Sequence, residues 1–332
     1  MAEILCTLAL PQPFEEMVRP RASLSVMGRI APTGELVERL RAQPVDVLCP
    51  QLRDPITAEV LDAGLPALRC VSLYAVGYNN VDVAAATERH IAVSNTPGVL
   101  TDATADCAMA LLLAATRRIC EGDAAVRAGA FTGWEPDYML GMELTGATLG
   151  VVGFGRIGQA VARRALGFGM RVAYATDVEV AIESDLAGRV SELPLGELLT
   201  TADVISLHVP LTDATHHLID EAALRAMRSS TVIINTSRGP VIDEAALVRA
   251  LREGWIAAAG LDVYENEPAL APGLADCRNA VLSPHLGSAT VATRAAMARL
   301  TAENALNALD GRVPSNCVNP EAWEAGAPPP AR

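Results

Sequence analysis

Thr148-Leu149-Gly150-Val151-Val152-Gly153-Phe154-Gly155-Arg156-Ile157-Gly158 is the stretch that decides the fold. An apolar run leads into three glycines spaced G-x-G-x-x-G, and an amphipathic stretch, Ile157–Gly167, follows. The spacing alone is a weak signal; a strand before it and a helix after it supply the context it needs. Gly153 permits the tight turn, Gly155 lets a pyrophosphate approach the backbone, and Gly158 lets helix and strand pack closely. The helix then starts with unpaired N–H groups and the positive end of its dipole facing an anion. A glycine-rich turn without a ligand is the plainer alternative, and the strand–turn–helix context speaks against it.

Working outward, short apolar runs predict strands at Thr148–Val152, Arg171–Ala175, Asp203–His208, Thr231–Asn235, Ala257–Leu261 and Ala280–Ser283. Helical patterns lie between them at Leu195–Thr200, Glu221–Met227 and Glu244–Glu253. Strands alternating with helices build a parallel sheet covered on both faces. Six such strands make two mononucleotide-binding halves, the α/β Rossmann doubly wound parallel sheet. The first hundred residues repeat the style, with strands at Glu3–Leu8, Val45–Cys49, Arg69–Leu73 and Ile91–Ser94 and helices at Gly34–Arg41 and Val81–Arg89. They predict a second, smaller flavodoxin-like α/β lobe. Asn95-Thr96-Pro97-Gly98 reads as the crossing between lobes. Long helices follow at Asp102–Arg118 and, after Gly287, at Ala289–Leu309. The expected division is residues 1–98 with 288–332 as a substrate domain and 99–287 as the dinucleotide-binding domain. The Pro/Ala-rich tail Ala325–Arg332 is expected to be loose.

Composition narrows the function. Hydrophobic residues are 51% of the 332-residue chain, enough for a large core. The net charge is −13, with 26 basic residues, all arginine. An acidic chain without a basic run is not expected to bind nucleic acid. The absence of lysine excludes a lysine Schiff base or general base. Seven cysteines without CxxC spacing suit a reduced, cytoplasmic protein with buried thiols. No apolar stretch approaches the about 20 residues that span a bilayer, so no membrane partner is expected, nor is a metal.

Ligands of such a sheet sit beyond the carboxyl ends of its strands. The second strand ends Thr176-Asp177, where a carboxylate can accept from ribose hydroxyls; Val178–Asp185 adds acidic groups and no arginine. A 2′-phosphate would be repelled there, which favours NAD over NADP. A plain turn or capping residue is the rival reading of Asp177. The fourth strand ends Asn235-Thr236-Ser237-Arg238-Gly239. Arg238 suits a planar carboxylate, unless it is simply a surface arginine. The fifth delivers Asp262, Glu265 and Glu267, and the sixth delivers His285. His208, before Val209-Pro210, also ends a strand and reads as an adenine-side neighbour, whereas His216 and His217 read as exposed loop residues.

These residues bear a resemblance to a known family. Ala75-Val76-Gly77-Tyr78-Asn79-Asn80-Val81-Asp82, Asn95–Gly98, Thr104-Ala105-Asp106, Gly153–Gly158, His208–Thr212, Ser237-Arg238-Gly239, Gly260–Val263, Glu267-Pro268 and Pro284–Ser288 resemble the D-isomer-specific 2-hydroxyacid dehydrogenases. The likeness spans nearly the whole chain. Phe131–Trp134 and Gly141–Gly150 look most like the glyoxylate/hydroxypyruvate reductase (D-glycerate dehydrogenase) group. The resemblance implies NAD-dependent reduction of a small 2-keto acid, with NADH as hydride source and His285 as acid/base paired with Glu267. It implies that Arg238 and the backbone N–H groups of Val76 and Gly77 bind the substrate carboxylate. The implied cofactor contacts are Thr104, Gly153, Phe154, Gly155, Arg156, Ile157, Gly158, Asp177, His208, Pro210, Thr236, Ser237, Asp262, His285 and Gly287. It also implies a homodimer, because Gly122–Leu144, with Trp134, resembles an arm that wraps a partner subunit. One departure concerns the cofactor: NAD-preferring members carry the acidic selector at the position of Thr176, one before Asp177. A dehydrogenase for 2-ketogluconate or D-lactate, or an NAD(H)-sensing corepressor-type protein on the same fold, are the competing readings.

Overall fold

In the computed structural model, residues 1–30 and 32–324 are described, so the expectation for the tail lies outside the described residues. The chain divides into two units, Thr101–Ala289 and the remainder at both ends.

The amino-terminal stretch runs β1 (Glu3–Cys6), α1 (Phe14–Val18), β2 (Ser23–Val26), α2 (Thr33–Ala42), β3 (Val47–Cys49), α3 (Ala58–Gly64), β4 (Cys70–Ser72), α4 (Val83–Glu88) and β5 (Ala92–Ser94). Its five strands are all parallel, in the order β2-β1-β3-β4-β5, the flavodoxin-like arrangement. Four strands were expected; β2 is the fifth. It lies at the sheet edge and none of its residues is buried, so it carries no apolar run to read.

The second unit comprises α5 (Thr101–Thr116), α6 (Ile119–Arg127), β6 (Thr148–Val152), α7 (Arg156–Gly167), β7 (Arg171–Ala175), β8 (Val190–Glu192), α8 (Leu195–Thr201), β9 (Val204–Leu207), α9 (Glu221–Ala226), β10 (Val232–Asn235), α10 (Glu244–Glu253), β11 (Ala258–Leu261) and β12 (Ala280–Leu282). The chain then returns to the first unit through α11 (Val291–Leu309) and α12 (Glu321–Glu324). The seven strands are parallel, in the order β12-β11-β10-β9-β6-β7-β8. This is the doubly wound order extended by one strand, and its direction reverses between β6 and β9. β8 was not anticipated, for the same reason as β2: a short edge strand, intermediate at Val190 and exposed at Ser191 and Glu192.

Central strands are largely apolar because both faces are covered: β9 and β10 are buried at every position, with Ser206 and Asn235 their polar residues. Leu198, Leu224 and Leu247 cover one face, and Leu111, Leu112 and Val161 cover the other. Each such fully buried side chain contributes about 1.5–3 kcal/mol of hydrophobic stabilisation. Helix starts are set by side-chain caps: Asp220 and Asp243 accept from Ala223 and Ala246 N–H groups at 2.8 and 2.9 Å. Expected element limits agree with the observed ones to within about two residues, as fraying ends allow. Cys6, Cys49, Cys70 and Cys277 are buried and free, but Cys120 is exposed, contrary to the expectation of uniformly buried thiols.

Candidate active site

The switch point places the turn after β6 beside the end of β9. Gly153 has φ +87°, and a Cβ there would lie 2.7 Å from the His208 carbonyl oxygen. Only glycine meets both the dihedral and the approach. At Gly158 a Cβ would lie 2.2 Å from the Gly153 carbonyl oxygen, so α7 packs onto its own strand as the glycine spacing predicts. At Gly155 a Cβ would meet nothing within 4 Å, and no side chain caps α7. The first-turn N–H groups therefore face open space, which fits a pyrophosphate. Thr236 Oγ1, at the end of β10, is buried without a hydrogen-bond partner, a second polar group suited to a ligand.

Not every residue of the glycine motif contributes through its side chain. Phe154 is fully buried and stacks on Tyr174 at 4.0 Å between ring centroids, so its side chain belongs to the core and only its backbone serves the turn. Ile157 packs against the same core, whereas Arg156 is exposed. Asp177 is exposed just past β7, and Thr176 Oγ1 is tied to Val178 at 3.1 and 3.4 Å. His208 Nε2 lies 2.8 Å from Ser206 Oγ, and burial pushes its pKa down to about 4, so its imidazole is neutral at pH 7. Pro210 accepts from Thr215 Oγ1 at 2.6 Å.

The tips of β10, β11 and β12 carry the reactive groups. His285 Nδ1 lies 3.0 and 3.1 Å from the two Glu267 carboxylate oxygens. With Nδ1 facing the carboxylate, Nε2 is the nitrogen available to exchange a proton with a substrate. Burial lowers the pKa of Arg238, while the Glu267 charge acts in the opposite direction, so these two groups share one electrostatic environment. Arg238 Nη1 also donates to the Ser237 carbonyl at 2.8 Å.

Two residues shape the turns that carry these groups, one of them not named as a site residue from the sequence. Asp262, expected beside the nicotinamide, also shapes the turn that presents His285. It accepts from Leu286 N–H and Gly287 N–H at 2.7 Å each, and from Ser283 Oγ. That clasp holds His285 at φ +57°, an uncommon backbone conformation for a non-glycine residue. Thr104 is next to the clasp, since a Cβ on Gly287 would lie 3.5 Å from its methyl group. Asn235 was not singled out, yet its Oδ1 accepts from Ser237 N–H and Oγ, and its Nδ2 donates to the Arg238 carbonyl at 2.9 Å. Asn235 closes the Arg238 turn as Asp262 closes the His285 turn; a buried amide at a strand end was the only signal in the sequence. His217, read as an exposed loop residue, is half-buried and hydrogen-bonded to Glu265.

Val76 and Gly77 lie in the first unit, in the loop after β4, where the Val76 carbonyl accepts from Asn95 Nδ2 at 2.7 Å. A cavity of about 740 Å³ opens elsewhere, at the amino ends of the strands beside Thr116, Arg118, Ser230, Arg278 and Asn279. No expected site residue lines it, and the strand-tip chemistry outweighs its size. Among the described residues no helix is long and apolar enough to cross a membrane.

A doubly wound sheet with an open glycine turn at its switch point and an imidazole–carboxylate pair at its strand tips defines a dinucleotide-dependent oxidoreductase. Residues 109–287 match the model of the D-isomer specific 2-hydroxyacid dehydrogenase NAD binding domain. The chain is 46% identical over 329 residues to a glyoxylate reductase of Korarchaeum cryptofilum, covering 98% of each chain. It is 48% identical over 301 residues to one of Thermococcus litoralis, covering 90% of each. A solved NADPH-dependent glyoxylate/hydroxypyruvate reductase of Sinorhizobium meliloti, in complex with NADP and malonate, superposes with TM-score 0.85 at 33% identity, covering 97% of each chain. The chain belongs to the D-isomer specific 2-hydroxyacid dehydrogenase family and is an enzyme that uses a nicotinamide dinucleotide.

Proposed function

We propose that the protein reduces glyoxylate and hydroxypyruvate with NADH, working in the cytoplasm as a homodimer. The observation that carries the chemistry is the contact between His285 Nδ1 and the Glu267 carboxylate at 3.0 Å. The carboxylate faces Nδ1 and fixes the ring, so Nε2 is the atom that exchanges a proton with the substrate. The half-buried Arg238 guanidinium grips the substrate carboxylate with paired N–H donors. When bound, the reduced cofactor supplies the hydride that reduces C2. The carbonyl oxygen takes its proton from His285, which is left neutral and paired with Glu267. Arg238 stabilises the negative charge that builds on that oxygen before the proton arrives. Val152–Gly158 and the uncapped start of α7 hold the pyrophosphate. The substrate class rests on the names of the relatives, since no single residue of this chain identifies it.

The choice of NADH rests on charge. Asp177, Glu179, Glu183 and Asp185 follow β7, and the Arg163 guanidinium is engaged by Glu183 and Asp185. The solved Sinorhizobium meliloti relative is NADPH-dependent and in complex with NADP.

A spectrophotometric panel tests the reading, following NADH and NADPH oxidation with glyoxylate, hydroxypyruvate, pyruvate and 2-ketogluconate. Glyoxylate and hydroxypyruvate should be reduced fastest. His285→Gln should lose about 100-fold or more in kcat while retaining NADH binding. Wild-type rates in that variant would remove His285 from its role. A wild-type protein that binds NADH and reduces none of the four acids would favour the sensing reading.

A further inference from the structure

A second group of chemistry-bearing side chains lies outside the catalytic pair, where the loop between β9 and α9 meets the segment after β11. The geometry points to a binding site for a divalent transition metal of the zinc type, formed by His216, His217 and Glu265. One ligand atom from each of the three residues lies within 4.8 Å of the others. His217 Nε2 and Glu265 Oε1 are 2.8 Å apart, and the two imidazole rings stack with centroids 4.1 Å apart.

Three features show that the group is held rather than incidental. His217 adopts φ +50°, a left-handed conformation uncommon for a non-glycine residue. It is kept there by donation from its N–H to the Pro240 carbonyl at 2.8 Å, while His216 N–H donates to the Thr212 carbonyl at 2.9 Å. Glu265 is oriented through its other oxygen, which accepts from Glu244 N–H at 3.2 Å. Its Oε1 thus remains directed at the histidines, the kind of outer contact that orients a metal-binding carboxylate.

The donor set selects the ion. Two imidazole nitrogens and one carboxylate oxygen suit Zn²⁺, Ni²⁺ or Cu²⁺, whereas Mg²⁺ and Ca²⁺ prefer oxygen ligands alone. Three protein ligands leave a fourth position for water, and the exposure of His216 keeps that position open. The ion would join the loop between β9 and α9 to Glu265. Through the bond of His217 to Pro240 it would also hold the turn that follows Arg238. Because the unfolded chain does not assemble these three groups, binding stabilises the folded state.

The test uses the full chain stripped of metal, carrying Cys120→Ser to remove the exposed thiol, and titrated with zinc alone by calorimetry and by thermal melting. One equivalent should bind and raise the Tm. His216→Asn and His217→Gln should each weaken binding at least tenfold and abolish the rise in Tm. The His216 side chain is exposed, so the metal-free melting temperature of His216→Asn should match that of its parent. His285→Gln should bind zinc as the parent does, which separates this site from the His285–Glu267 pair. No saturable binding, binding that neither histidine substitution weakens, or binding weakened by only one of them would overturn the three-ligand site.

Discussion

Asp177 is an exposed carboxylate at the end of β7, and the proposed preference for NADH rests largely on it. Asp177→Ala should weaken NADH binding several-fold and raise the NADPH/NADH ratio of kcat/KM, read from steady-state rates with glyoxylate. An unchanged ratio would reduce Asp177 to a turn residue. Residues with distinctive chemistry were partly legible at this scale: with no lysine and five histidines in the chain, His208 and His285 both end strands, and the family resemblance separated them and assigned Arg238. Residues that act by holding a turn were not. Asp262 and Asn235 have the same side chains whether they meet a ligand or a backbone N–H, and only their hydrogen bonds separate the two uses.

At the scale of elements, the β6–turn–α7 unit depends on a contact that tolerates no added carbon. Gly158→Ala would place a Cβ 2.2 Å from the Gly153 carbonyl oxygen, so the helix must shift away from its strand. The expected cost is about 1–3 kcal/mol, with lost affinity for NADH as the first-turn N–H groups move, measurable by urea unfolding and by fluorescence titration. Wild-type stability together with wild-type affinity would contradict that geometry. Buried strands such as β9 and β10 were readable because a parallel sheet demands unbroken apolar runs. β2 and β8 were not, since an edge strand is specified largely by the neighbour it pairs with.

For the molecule as a whole, the segment from α6 to Leu140 presents an apolar surface among the described residues. No residue of α6 is buried, and Trp134 is 81% exposed. Ile119, Val126, Phe131 and Leu140 are exposed as well. So much apolar surface in one stretch marks an interaction site, and the proposed homodimer would cover it. Light scattering should give twice the 34.8 kDa chain mass, and Trp134→Arg should shift the population towards monomer. A monomeric wild-type protein would leave the exposed stretch without that explanation.

The alternation of buried strands and helices and the glycine turn follow from the sequence, because periodic burial and turn chemistry are local properties; His285, Glu267 and Arg238 were assigned there through the family resemblance. The contact between His285 and Glu267, the clasp of Asp262, the burial of Phe154 and the meeting of His217 with Glu265 were decided by the tertiary structure. Each joins residues distant in the chain, and such distances are set by strand order and by the hydrogen bonds that shape each turn.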